Sequence, residues 1–211
     1  MMRNLLMLIL AATTITGCVN MDSSYEEPRY DVTERISESV ELRTYKPYVL
    51  AEVTLPGNKD DTMNEGFRTL ANYIFGGNTT AAEISMTAPV VGQSTSQTSS
   101  TKIAMTAPVT GQASGNQYTI QFMMPAEYTL QTLPKPNDSR ITLREQPTRK
   151  ALVERFSWFM GNSKIADATH TLKDEAAKRK LTVVGEPMVA YFNPPWTLPW
   201  LRRNEVMVEV R

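Results

Sequence analysis

Val40-Glu41-Leu42-Arg43 and Ile141-Thr142-Leu143-Arg144 follow one pattern, and 141 − 40 sets them 101 residues apart. In an extended backbone alternate side chains face opposite sides, so each tetrapeptide reads as a strand with one buried face. A proline follows in each half, Pro47 and Pro147. A second strand-like run comes next, Tyr48-Val49-Leu50-Ala51-Glu52-Val53 in one half and Ala151-Leu152-Val153-Glu154-Arg155-Phe156 in the other. Helix starts then fall at Thr62 and Ser163, and 163 − 62 is again 101. Because the order of elements repeats, the expected architecture is α+β, with two β-β-α-β-β units sharing one sheet system about a pseudo-twofold.

The first helix has the form of a capping box, Thr62 with Glu65, and Asp60 and Asp61 favour the positive end of its dipole. Met63, Phe67, Leu70 and Ile74, spaced four, three and four apart, fall on one stripe. Gly76-Gly77 ends the helix by permitting positive φ. The second helix, Ser163 to about Lys180, has its apolar stripe at Ile165, Ala168, Leu172 and Ala176. His170, the chain's one histidine, falls on the other side and reads as solvated.

A second internal repeat lies between the halves: Ile84-Ser85-Met86-Thr87-Ala88-Pro89-Val90 and Ile103-Ala104-Met105-Thr106-Ala107-Pro108-Val109. Each copy reads as a strand with Ile, Met and Ala on the buried side, closed by a proline that cannot donate to a ladder. The Ser/Thr/Gln tract from Gln93 to Thr101 has nothing to bury and reads as a hairpin tip. Tyr118 to Pro125 is another strand, and Leu133 to Asp138 a linker, giving halves of about 40–133 and 138–211. Ala190 to Val206 contains Pro194, Pro195 and Pro199, which forbid regular pairing. It reads as a stiff loop presenting Trp196, Leu198 and Trp200 before a closing strand with Val206, Val208 and Val210 on one face.

The 211 residues carry 22 Lys+Arg against 22 Asp+Glu, so a nucleic-acid partner is not expected. At the amino end Arg3, the apolar run Leu5 to Ala12 and Ile15-Thr16-Gly17-Cys18 resemble a bacterial lipoprotein signal. The apolar run is too short to span a bilayer. The expectation is therefore a signal peptide over 1–17, an acylated Cys18, a polar tether over 18–27 and one domain over 28–211. Cys18 is the only cysteine, so no internal disulfide can form. Val19 stands where inner-membrane retention signals carry Asp, which points to a periplasm-facing protein anchored in the outer membrane.

Three features together resemble the SOUL haem-binding family: the Met-Thr-Ala-Pro-Val segment, a helix ending in Phe75-Gly76-Gly77-Asn78, and Asn193-Pro194-Pro195 through Arg202-Arg203-Asn204-Glu205-Val206. The likeness runs from about Tyr25 to Arg211. It implies a distorted β-barrel flanked by two helices and a non-covalent haem or related tetrapyrrole ligand between the first helix and the loop before the last strand. Carried over by position, the helix supplies Met63, Phe67, Leu70 and Ile74. The loop supplies Pro195, Trp196, Leu198 and Trp200, and Arg202 and Arg203 meet the propionates. Residues 62 to 75 hold no histidine, so the resemblance supplies no axial ligand here.

The function these features imply is a carrier, buffer or sensor, not an enzyme: no glycine-rich phosphate loop, catalytic triad or metal-ligand spacing is present. Two alternatives stand beside it. One is an envelope lipoprotein whose tryptophan loop docks a protein partner. The other is a Cu(I) site of the thioethers Met86, Met105, Met123 and Met124.

Overall fold

The computed structural model describes residues 25–79, 103, 105–194 and 196–211. In chain order the elements are β1 Tyr30–Arg35, β2 Val40–Tyr45, β3 Tyr48–Pro56, α1 Lys59–Ile74, β4 Asn78–Thr79, β5 Val109–Ser114 and β6 Gln117–Met123. They continue with β7 Lys135–Pro136, β8 Ile141–Gln146, β9 Arg149–Phe156, α2 Asn162–Lys178, β10 Val183–Tyr191, a 3-10 turn Pro199–Leu201 and β11 Asn204–Val210. Nine strands form one antiparallel sheet in the order β1-β2-β9-β11-β10-β5-β6-β3-β8. The sheet curls strongly into a half-barrel with the two helices packed on it, and its edges, β1 and β8, do not pair with each other.

From β2 to β8 that order reads the same backwards when β2 is exchanged with β8, β3 with β9, β5 with β10 and β6 with β11. Register repeats as well. Val40 lies opposite Glu154 between β2 and β9, and Ile141 lies opposite Val53 between β8 and β3, the same pairing displaced by 101. Each half thus contributes its first strand to the other half's second, and the two-residue connections Lys46-Pro47 and Pro147-Thr148 each carry a proline, whose fixed φ does not suit the positive-φ turns of a two-residue hairpin. The expected pseudo-twofold α+β architecture is present.

One face of the sheet packs the helices. Val49, Ala51, Val53 and Leu55 of β3 with Tyr118, Ile120 and Phe122 of β6 meet Leu70, Tyr73 and Ile74 of α1. Val40, Leu42, Leu152, Val206 and Val208 meet Ala168, Leu172 and Ala176 of α2, the stripe expected from its spacing. Burial of a large apolar side chain contributes roughly 1.5–3 kcal/mol, so each helix is held mainly by this contact. The opposite face carries Tyr45, Ala151, Val153, Met188 and Met207 together with buried charges.

Several local expectations are corrected. The first helix begins a turn before Thr62: Asn58 is the cap, its Oδ1 accepting from Asp60 N (2.8 Å) and Asp61 N (3.2 Å), while the Thr62 hydroxyl donates back to Asn58 O. The second helix is capped by Gly161, without a side-chain bond, and not by Ser163. The buried stripe of α1 is Thr62, Gly66, Thr69, Leu70, Tyr73 and Ile74, so Met63 and Phe67 lie on its flank. The second Met-Thr-Ala-Pro copy is an irregular segment whose proline precedes β5 instead of closing a strand. Ile103 and Ala107 are buried as expected, but Thr106 is buried too, its hydroxyl bonded to Met123 O. The first copy, 84–90, and the tract 93–101 lie outside the described residues. The Leu133 to Asp138 linker is anchored, since Leu133 is in the core and β7 pairs with β4.

Gly66 brings α1 down onto β6. A Cβ there would lie 2.4 Å from Ile120 Cδ1. Gly66→Ala is expected to destabilise by about 1–3 kcal/mol through forced repacking, measured as a lowered urea midpoint at unchanged slope.

Candidate functional site

The closeness of α1 to the sheet leaves Phe67 at the edge of the helix with its ring edge against Phe122 (centroids 5.4 Å apart) and its other side 38% exposed. Opposite it, the chain leaves β10 at Tyr191 and runs through Asn193-Pro194 to Trp196. Between the two walls lies an apolar cavity of about 340 Å³, lined by Phe67, Met105, Val109, Tyr191, Phe192 and Trp196 among others. A second cavity of about 270 Å³ shares Phe67, Val109, Tyr191, Asn193 and Pro194 with it and ends at Arg202 and Asn204. The two make one groove with aromatic walls and a guanidinium at one end. The Tyr191 phenol is pushed up to about 12 by burial, with Asp60 adding to the shift, so at neutral pH it is a neutral hydrogen-bonding group.

Not every expected residue reaches this groove. Phe67, Trp196 and Arg202 line it. Leu70 and Ile74 do not: fully buried, they face β3 and β6 as part of the core, because the helix rotates its stripe toward Gly66 and Tyr73. Met63 packs partly against the same core. Leu198 and Trp200 are exposed outside the cavity, Trp200 with its ring 6.4 Å from that of Trp158. Pro195 lies outside the described residues.

Arg203 is turned the other way. Its guanidinium binds Glu27 (2.8 Å) and Glu205 (3.0 Å) and stacks 3.7 Å above the Phe192 ring. Two carboxylates already occupy its fork, so the expectation that it meets a propionate is corrected. Glu205, fully buried on β11, also takes Arg43 Nη1 of β2 at 2.9 Å. Burial works against the Arg43 charge, but the Glu205 carboxylate outweighs it and holds that guanidinium above its ordinary pKa. The loop is pinned around this pair. Asn193 Oδ1 accepts from Arg203 N (2.5 Å), Phe192 N–H donates to Arg203 O (3.2 Å), and Asn204 Nδ2 donates to Trp158 O (2.8 Å).

A larger cavity, about 630 Å³, opens elsewhere, bordered by Tyr30, Tyr48, Tyr128 and the charged Glu26, Arg29 and Lys46. It shares no lining residue with the groove. Its lining carries six charged side chains, Glu26, Glu27, Arg29, Asp31, Lys46 and Glu145, whereas the groove is walled mainly by rings and aliphatic groups with Arg202 its one charged residue, which suits a flat apolar ligand better. Met123 and Met124 border the larger cavity and Met105 the groove, so the described thioethers of the copper alternative open onto different spaces. His170 is solvated as expected, its side chain 80% exposed beside Asp174.

Sequence reasoning missed Met105, Val109, Tyr191 and Phe192 as groove walls. The signal available was adjacency: Tyr191-Phe192 precede the Asn-Pro-Pro turn, and Met105 and Val109 belong to the repeat. Glu205→Gln is expected to cost about 3–5 kcal/mol, since it leaves the buried Arg43 guanidinium and the partly buried Arg203 guanidinium facing a neutral amide, and to show as a large drop in unfolding midpoint.

No curated protein matches the chain in sequence. Among solved structures, a hydrolase from Listeria innocua is similar in fold, with a TM-score of 0.54 at 12% identity, over 82% of this chain and 92% of that one. The EcmrR C-terminal domain is similar at a TM-score of 0.54 and 10% identity, over 86% and 98%. At such identities these likenesses concern the fold alone. The family model described as SOUL heme-binding protein matches residues 25–209, nearly everything after the amino-terminal segment, and the chain belongs to the SOUL heme-binding protein family.

Proposed function

We propose that this protein is a membrane-anchored binding protein for haem or a related tetrapyrrole, acting as carrier, buffer or sensor without covalent chemistry of its own. The observation that carries the reading is the shared groove, in which Phe67 of α1 and Trp196 of the terminal loop wall one apolar space that ends at Arg202.

The residues fit such a ligand. Ring faces and aliphatic groups cover a porphyrin plane, and the Arg202 guanidinium, held by its own Nε bond to Thr197 O (2.8 Å), meets a carboxylate at the edge. The cavity walled by Phe67 and Trp196, about 340 Å³, falls in the usual range for small-molecule sites, ~300–1,000 Å³. Haem iron brings redox and gas-binding chemistry when it is held by an axial donor. The groove offers the Met105 thioether and the neutral Tyr191 phenol, and no imidazole, since His170 lies on α2. Affinity then rests on buried surface: a few hundred Å² at roughly 25 cal/mol per Å², less several kcal/mol of association cost, gives a Kd of about micromolar. That strength suits reversible loading and unloading.

Anchoring follows from Cys18 in its Ile15-Thr16-Gly17 context. No helix among the described residues is long and apolar enough to cross a membrane, so lipid on Cys18 is the attachment proposed, with the domain facing the periplasm from the outer membrane.

Titration with haemin is expected to shift the Soret band and quench tryptophan emission with a midpoint of about micromolar. Phe67→Ala or Arg202→Ser is expected to weaken binding by about tenfold, while Arg144→Ser, on the opposite face, leaves it unchanged. Absence of any Soret shift at about fifty times that concentration rejects the reading.

A further inference from the structure

All three tryptophans of the chain, Trp158, Trp196 and Trp200, stand 57%, 82% and 56% exposed, in company with Phe159, Leu198 and Leu201 at 63%, 50% and 46%. They come from two loops held together. Trp158 N–H donates to Pro199 O (2.8 Å), its ring lies 6.4 Å from Trp200, and Arg202 places its guanidinium 4.9 Å above Phe159 while bonding Thr197 O. With aromatic side chains offering ~150–250 Å² each, the exposed apolar area is on the order of 600 Å², more than a solvated monomer usually leaves open.

The presentation is enforced. Trp158 sits at φ 73, a left-handed conformation that costs a non-glycine residue about 1–2 kcal/mol. Its carbonyl accepts from Asn204 Nδ2 as its N–H donates to Pro199, so the strained residue is clamped on both sides with its indole outward.

We propose that this patch seats in the lipid interface of the membrane that Cys18 anchors, so that the groove opens toward the bilayer. The inference rests on the anchoring reading above. Cys18 is seven peptide steps from Tyr25, and a chain that short spans at most ~25 Å. Tyr25 lines the same cavity as Trp196. Acylation therefore holds this end of the domain within ~25 Å of the headgroups, and the patch is beside the attachment point. Its chemistry agrees. Residues 157–161 and 196–202 contain three indoles and one arginine and no carboxylate, an aromatic-rich composition that settles at a lipid interface. Trp196 belongs both to the patch and to the groove, so a flat apolar ligand passes between bilayer and protein without crossing water.

The test is emission from the three tryptophans of the full, acylated chain reconstituted in phosphatidylethanolamine/phosphatidylglycerol vesicles, with acyl chains either brominated or plain. Insertion to ~5–10 Å predicts at least a twofold loss of emission in the brominated vesicles and reduced access to aqueous iodide. The triple variant Phe159→Ser, Leu198→Ser, Leu201→Ser keeps all three reporters, changes only exposed residues, and is expected to lose most of that quenching. Equal emission in both vesicles with full iodide access overturns the proposal, and leaves a protein as the occupant of the patch. The mass of the amino-terminal peptide reads acylation separately. An unacylated chain that is still quenched when mixed with the vesicles retains the patch assignment and removes only the anchor, whereas an unacylated chain that is not quenched removes both.

Discussion

A carboxylate with no contact with water sits near the middle of this sheet and has to be neutralised. Glu205 lies on β11, flanked by β9 and β10, and its two oxygens are shared between Arg43 from β2 and Arg203 from the loop just before β11. Desolvating such a charge costs several kcal/mol unless opposite charge and hydrogen bonds surround it, so the positions of both arginines are tightly constrained. Arg203 in turn takes Glu27, which fixes the start of the domain against its end, and lies flat on Phe192. Amino-terminal segment, second strand and last strand are thereby joined at one point.

The same constraint shapes the groove. Because Arg203 points inward, the next residue back along the chain, Arg202, is directed toward the helix side, where it borders the cavity. The asparagines on either side serve the same turn: Asn193 holds the Arg203 amide and Asn204 holds the Trp158 carbonyl. The residues of the terminal signature are thus mostly structural. They keep a proline-stiffened loop at a set distance from α1, and of the residues expected at the site Phe67, Trp196 and Arg202 are the ones that line the groove.

Equivalent strands in the two halves carry different chemistry. Arg43 and its counterpart 101 residues on, Arg144, both face away from the helices, yet Arg43 meets the fully buried Glu205 while Arg144 meets Glu52 (2.8 Å), which also accepts from Gln121 and stays partly exposed. Backbone pairing repeats because register depends only on alternation and turn length. Side-chain partners need not repeat, since each is decided by what the other strands bring to that spot.

Alternation and spacing in the sequence alone determined the strand pairs about Pro47 and Pro147, the two helices, the 101-residue repeat and the exposure of Trp196, Leu198 and Trp200, because those features follow from local periodicity and from what proline forbids. Helix starts were legible only to within a turn, since Asn58 and Thr62 are both residue types that cap helices and only the structure shows Asn58 taking the Asp60 and Asp61 amides. The site was legible in part. Phe67 and Leu70 sit on one helical stripe, and nothing in a spacing of three says which faces a groove and which faces Ile120; that depended on Gly66 setting the roll of the helix. Likewise Arg202 and Arg203 are neighbours of one type, and only the tertiary structure sent one to the cavity and the other to Glu205 and Glu27, because the second of those carboxylates is brought in from 176 residues away.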